Sequence, residues 1–339
     1  MWMRCLAILL LLAPISAHAR QLDVGPDREL KAPSAAARIA ADGDVIRIDP
    51  GEYFDCAFWR ANRLTIEGAG DGVVMTDVAC AGKAAFVVDG DDITIRRITF
   101  TRIRVGDGNG AGIRAEGHGI VVENSRFINN QVGLLAGEMP GSAIIIRDSE
   151  FIDNGGCNGR TCAGPLLTGT ATRLEITHSH FSGTRGGHQI VSAADAMVMT
   201  DSTVEDGPQG SSSYLVMHAG LGSVLLQGNT LEKGPNTTNP RAEVLLDAPM
   251  GEQGPLVFRA NHFINDTGSS AHFIVNWTSG NPVLEGNKLA SGDTELTSWG
   301  LWRHRSIVFA LQTKGELRHL AARMGHPVLD KLLELKARL

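Results

Sequence analysis

ITIRRITF (93–100), IVVENSRF (120–127), IIIRDSEF (144–151), LEITHSHF (174–181), MVMTDSTV (197–204), VLLQGNTL (224–231), LVFRANHF (256–263) and PVLEGNKL (282–289) are eight versions of one phrase. Each alternates apolar and variable residues, passes through small or polar ones and closes on an aromatic or aliphatic side chain. The closing residues Phe100, Phe127, Phe151, Phe181, Val204, Leu231, Phe263 and Leu289 are 27, 24, 30, 23, 27, 32 and 26 residues apart. A period in this range marks a solenoid. The alternation has period two and the units are too short for a helix pair, so each turn is built of strands. VIRI (45–48) and LTIEG (64–68) continue the series upstream to about ten turns. At about 4.8 Å per rung the stack is expected to be roughly 45 to 50 Å long.

Between the phrases lies a second apolar segment, as in GIRAEG (112–117), PLLTGT (165–170) and HFIVNW (272–277), so a turn carries at least two strands. Equivalent positions on successive turns stack. The sixth position of the phrase reads Ile98, Ser125, Ser149, Ser179, Ser202, Asn229, Asn261, Asn287. Small polar side chains at a corner can bond the neighbouring turn's backbone where bending leaves it unpaired. This column is therefore expected to be scaffold, and the closing Phe and Leu column core.

The N-terminal residues combine Arg4, the apolar run CLAILLLLAPI and AHA at 17–19, the pattern of a secretory signal peptide with cleavage after Ala19. Cys5 leaves with it. In an oxidising compartment the four remaining cysteines favour disulfides, Cys56 with Cys80 one turn apart and Cys157 with Cys162 around a short loop. A metal site is the alternative for the second pair. The formal charge of −6 provides no general basic field and argues against nucleic acid as a partner. No segment of the mature chain is apolar enough to span a membrane.

The repeats, together with the entry segment APSAAARIAADGDVIRIDPGEY (32–53), resemble the right-handed parallel β-helix proteins of the pectin-lyase-like superfamily over about residues 26 to 290. The resemblance implies an all-β fold of about ten coils with a capping helix, here capped by Ser34. It spans lyases, hydrolases, epimerases and non-catalytic surface proteins, so it leaves the activity open. The expected division is signal peptide 1–19, cap 20–44, β-helix 45–294 and, over 295–339, a C-terminal helical cap or a tail that docks another protein. Segments 313–324 and 328–339 of that last region read as two amphipathic helices covering the open end. Polygalacturonase-like members carry paired aspartates and a Gly-His-Gly. Asp91, Asp92, Gly117, His118 and Gly119 match only these pieces, and His118 is expected to be a turn residue.

Aligning the second segments on Ile113, Leu134, Leu166, Ile190, Leu215, Val244 and Phe273 as inward residues gives outward columns that turn polar from Gln189 onward. Glu243, Asp247, His218 and His272 are then the candidate acids and bases for work on a polysaccharide. Tyr214, Gln189, Asn276, Trp277 and Arg185 are the candidate substrate contacts. The alternatives are a solvated face, and a one-residue slip at the LL, IV and LV pairs that would bury the set. A second face carries His178, His180, Asp148, Glu150 and Asp201, with Arg96, Arg97, Arg126, Arg147 and Glu123 on neighbouring turns. Acidic residues for Ca²⁺ exist, but no spacing marks a site. The expected function is an exported protein, secreted or periplasmic, that acts on or binds an extended acidic polysaccharide as a lyase, hydrolase or epimerase. The alternative is a non-catalytic extracytoplasmic glycan-binding or structural β-helix.

Overall fold

Seven of the eight phrases fold as two strands around a sharp corner, the eighth keeping its first strand and a single bridge at Lys288, and each second segment folds as a third strand. The computed structural model describes residues 19–159, 161–248 and 251–298. Its first sheet holds eleven strands from Gln21–Val24 to Val283–Glu285, the second nine from Gly51–Tyr53 to His262–Asn265, and the third ten from Ala57–Trp59 to Thr294–Ser298. All neighbours in these sheets run parallel, turn upon turn, so the fold is an all-β parallel solenoid of about ten turns. The ladder begins before Val45 and extends beyond 294: Gln21–Val24 pairs with Val45–Ile48, and Thr294–Ser298 with His272–Asn276. The signal peptide through His18, and the expected C-terminal helices, lie outside the described residues.

The corner between the first and second sheets explains the fifth and sixth positions of the phrase. Arg97, Asn124, Asp148, His178, Asp201, Gly228, Ala260 and Gly286 all have left-handed backbones, with φ between 46° and 69°. Gly, Asn and Asp tolerate this conformation best. The next residue is the predicted ladder. Ser125 N–H donates to Ser149 Oγ (3.2 Å), Ser149 N–H to Ser179 Oγ (3.2 Å), Ser179 N–H to Ser202 Oγ (3.1 Å) and Ser202 N–H to Asn229 Oδ1 (3.0 Å). Asn229 and Asn261 continue it to Asn287. The column satisfies buried amides at every corner.

Inside, Phe100, Phe127, Phe151 and Phe181 stack with centroids 5.2, 4.5 and 4.5 Å apart. Gly112 and Gly133 on the third sheet leave room for these rings. A Cβ at Gly112 would lie 2.8 Å from Phe127 Cδ1, and one at Gly133 2.6 Å from Phe151 Cδ1.

The entry helix spans Pro33–Ala37, and Ala32, not Ser34, is its N-cap. Ser34 lies inside the first turn, where its N–H is met by Asp55 Oδ2 at 2.8 Å. Both expected disulfides form, Cys56 to Cys80 and Cys157 to Cys162. The second clasps an antiparallel pair, Gly156–Asn158 with Thr161–Ala163.

Candidate functional site

On two turns the third sheet has a different register from the one expected. Its ladder runs Ile113, Leu134, Leu166, Ile190, Val216, Val244, Ile274, so five of the seven expected residues hold and Leu215 and Phe273 each stand one place before the ladder residue. Adjacent apolar pairs make the two choices equal in the sequence pattern. The position before the ladder residue also faces the core: Gly112 and Gly133 hold it against the Phe stack, and Gln189, Leu215, Glu243 and Phe273 hold it on later turns, all buried.

Burial sorts the candidate residues into two groups. Glu243 is 1% exposed, His218 and Gln189 0% and Asn276 3%, so these four lie in the interior and not on the outer face. Tyr214 and His272 face outward. The Tyr214 N–H donates to His188 Nδ1 (3.3 Å), and His272 Nδ1 lies 2.5 Å from Thr294 Oγ1. Trp277 packs beside Leu245 and Val275 on the outer side. Asp247 is half-buried at the end of its strand. Arg185 is in a loop, 4.0 Å from Asp153. The expected acid and base set is therefore not brought together on a surface that a polymer can reach.

Glu243 and Gln189 instead belong to a buried polar cluster that the sequence reading missed. Its centre is Lys233, fully buried, whose Nζ donates to the carbonyls of Ser213 (2.6 Å) and Ser212 (3.2 Å) and lies 3.7 Å from Asp206 Oδ2. Asp206 also accepts from Ser212 Oγ (2.5 Å) and Gln189 Nε2 (3.4 Å). Burial pushes Lys233 down to about 8, although Asp206 and Glu243 favour its charged form. Burial raises the Glu243 carboxyl well above the usual range, against the pull of Lys233. TLEK (230–233) resembles any half-exposed strand end, and no spacing signalled the cluster.

His218 is enclosed with both ring nitrogens unbonded, and burial depresses it to about 4. Between pH 6.5 and 4 the unfolded chain therefore binds a proton that the folded chain refuses, and stability falls as pH falls through that window. His218→Leu is expected to remove this loss. The stability difference between variant and parent should grow by about 3 kcal/mol between pH 7 and pH 4 in urea titrations. Parallel pH curves would show that the imidazole is hydrated.

The accessible site is on the other side, along the corner between the first and second sheets. A trough of about 710 Å³ is lined there by Asp71, Thr99, Asn124, Arg126, Asp148 and Glu150, with Arg97 at its edge. Thr99, Arg126, Glu150, His180 and Thr203 follow one another as an outward column of the second sheet. Asn124, Asp148, His178 and Asp201 follow along the left-handed corner beside it. Arg126 pairs with Glu150 (2.7 Å), Arg97 with Glu67 (3.0 Å), and His180 Nε2 lies 2.9 Å from Glu205 Oε1. Arg96 with Glu67 (2.6 Å) and Arg147 with Glu123 (3.4 Å) neutralise each other on the first sheet. His118 and Asp91 are turn residues, the His118 N–H donating to Asp91 Oδ1 at 2.7 Å. The signal for Asn124 and Asp148 was the fifth position of the phrase, whose Asn, Asp and Gly bias reflects the left-handed corner.

Among the described residues no group of three His, Cys, Asp or Glu is arranged to hold a metal ion. No helix among them is long and apolar enough to cross a membrane.

Residues 55–204 match the family model described as "Right handed beta helix region". Together with the three-sheet parallel ladder, this match makes the fold a right-handed parallel β-helix. Among solved structures it is similar to a pectin methylesterase from Aspergillus niger (13% identity, 84% of this chain and 92% of that chain, TM-score 0.47). Others are pectin methylesterases from carrot (14%, 84% and 90%, TM-score 0.45) and Yersinia enterocolitica (11%, 82% and 96%, TM-score 0.42). At these identities the likeness concerns the fold alone. No curated protein matches the chain.

Proposed function

We propose that this chain is an extracytoplasmic β-helix that binds an extended polysaccharide along the trough between the first and second sheets. The observation that carries the reading is the repetition of planar donors and acceptors there. Asn124, Arg126, Asp148 and Glu150 line it from successive turns, and His178, His180 and Asp201 continue the line. Rungs about 4.8 Å apart present such groups at a spacing similar to that of sugars in an extended chain. Because Arg126 and Arg97 are already paired with carboxylates, binding should rest on hydroxyl contacts more than on charge. That shifts the expected ligand from an acidic polymer toward a hydroxyl-rich one.

Affinity electrophoresis and calorimetry against neutral and acidic polysaccharides test this. Arg126→Ala combined with Asp148→Asn, the latter chosen because Asn keeps the left-handed backbone, should weaken binding at least about tenfold. Affinity should change less than about threefold between 50 and 500 mM salt. Absence of binding across the panel, or equal affinity in the double variant, overturns the reading.

A second reading, polymer cleavage, is favoured by the His180 and Glu205 pair on the same face, since a carboxylate orients an imidazole for proton transfer. New reducing ends or unsaturated products, lost in His180→Ala, would establish it.

A further inference from the structure

Asp206 and Lys233 stand at equivalent positions on adjacent turns. The strands Thr203–Glu205 and Thr230–Lys233 pair with Glu205 opposite Glu232, and the Asp206 N–H donates to the Glu232 carbonyl, so the next step of the column sets Asp206 beside Lys233. Both side chains are fully buried, with Nζ 3.7 Å from Oδ2. A carboxyl group and an amine confined together in the interior have a covalent outcome open to them, an amide.

The surroundings favour that outcome. Lys233 Nζ donates to the carbonyls of Ser213 (2.6 Å) and Ser212 (3.2 Å), which occupy the two N–H groups of an uncharged amine and leave its lone pair for Asp206. Asp206 Oδ1 accepts from the Ser212 Oγ and N–H and from Gln189 Nε2, donors placed to hold the negative oxygen of a tetrahedral intermediate. Glu243, 1% exposed, has an Oε2 with no hydrogen-bond partner, and both Lys233 and Asp206 act on it electrostatically. Burial favours the uncharged amine and the uncharged Glu243 carboxyl, the forms that attack and that donate a proton.

We propose that Lys233 and Asp206 condense to an intramolecular isopeptide bond that staples two successive turns of the late solenoid. Lys233 Nζ bonds to Asp206 Cγ, the Cγ–Oδ2 bond breaks, and Glu243 gives a proton to the departing oxygen and recovers one from the nitrogen. Ammonium and carboxylate become an amide and one water, so atoms and charge balance with no further reagent. Confinement supplies an effective concentration on the order of 10⁵ M or more. The reaction also removes two buried charges whose desolvation opposes folding. The freshly folded chain holds the ion pair, the form that titrates, and converts with time. The bond gives the late turns the covalent support that Cys56–Cys80 and Cys157–Cys162 give to earlier ones. It stands whether or not the trough binds a glycan.

The test is a peptide map of the folded, oxidised chain after incubation near pH 8, where Lys233 is partly uncharged. Between Arg185 and Arg241 the only site for trypsin is Lys233. Trypsin does not cut after an acylated lysine, so the bonded chain should yield 186–241 as one peptide, lighter than its sequence by one water, with fragmentation placing the loss across Asp206 and Lys233. The fraction in this form should rise with time, and at least about tenfold more slowly in Glu243→Gln. The parent's own map decides the bond even where that variant folds poorly. A lasting 186–233 peptide at its unmodified mass overturns the proposal. Water loss with Lys233 still cut, the mark of an aspartyl succinimide between Asp206 and Gly207, overturns it equally.

Discussion

Lys233→Met is expected to destabilise the chain by about 3 to 5 kcal/mol, the cost of removing one partner from a buried ion pair. The ammonium is fully enclosed and serves three acceptors at once, the carbonyls of Ser212 and Ser213 and, at 3.7 Å, the Asp206 carboxylate. Met fills much of the same volume, so the loss is of charge and donors rather than of packing. Asp206 would keep its bonds from Ser212 Oγ and Gln189 Nε2 but not its counter-ion. Adding Asp206→Asn, which removes the stranded charge and retains an acceptor, should recover roughly half of the loss. Alkaline pH provides an independent reading. Burial holds the folded Lys233 at about 8 against an unfolded value near 10.5, so between these the unfolded chain binds more protons and stability rises with pH. The parent's advantage over Lys233→Met should therefore widen from pH 8 toward 10.5. Urea midpoints measured across that range decide it; a variant within about 1 kcal/mol of the parent at pH 7 would mean that water, not protein, solvates the ammonium.

This cluster also shows where sequence stops informing. The phrase, its closing aromatics and the Ser and Asn column were legible because each repeats at one position on every turn, and stacking turns a repeat into a contact. Even the left-handed corner was written in the Asn, Asp and Gly bias of the fifth position. The second segments lack such a marker. LL, IV and LV pairs satisfy the inward requirement in either register, and the preceding position, which must be Gly112 or Gly133 against the Phe stack but carries Gln189, Leu215, Glu243 or Phe273 on later turns, also faces in. The one-residue step at Leu215 and Phe273 moved His218 and Asn276 from an imagined groove into the interior, whereas Gln189 and Glu243 are interior because the position before the ladder residue also faces in. It also left the outer face to Tyr214, Met217, Leu245 and Val275. Lys233 and Asp206 were unreadable for another reason: each is unique to its turn, so no column announces it.

The aromatic stack itself carries the second large expectation. Phe151→Ala should cost about 3 to 5 kcal/mol, at the upper end for a core phenylalanine because the ring is fully buried and stacked on both sides. Phe181→Ala, at the end of the stack where Val204 follows, should cost less. The cavity cannot be refilled from across the core. A Cβ on Gly133 would escape the missing ring but would still lie 2.6 Å from the Pro165 carbonyl, so Gly133→Ala is expected to add to the loss. Coupling distinguishes a stack from a set of independent core residues. Rings at 4.5 Å interact directly, so Phe127→Ala and Phe151→Ala together should cost about 0.5 to 1.5 kcal/mol less than the sum of the singles. Phe100→Ala and Phe181→Ala, separated by two intervening rings, should add within about 0.5 kcal/mol. Urea denaturation of the four singles and two doubles measures both terms. Additivity in the adjacent pair would show that each ring contributes only its own burial and that the stacking geometry carries no energy of its own.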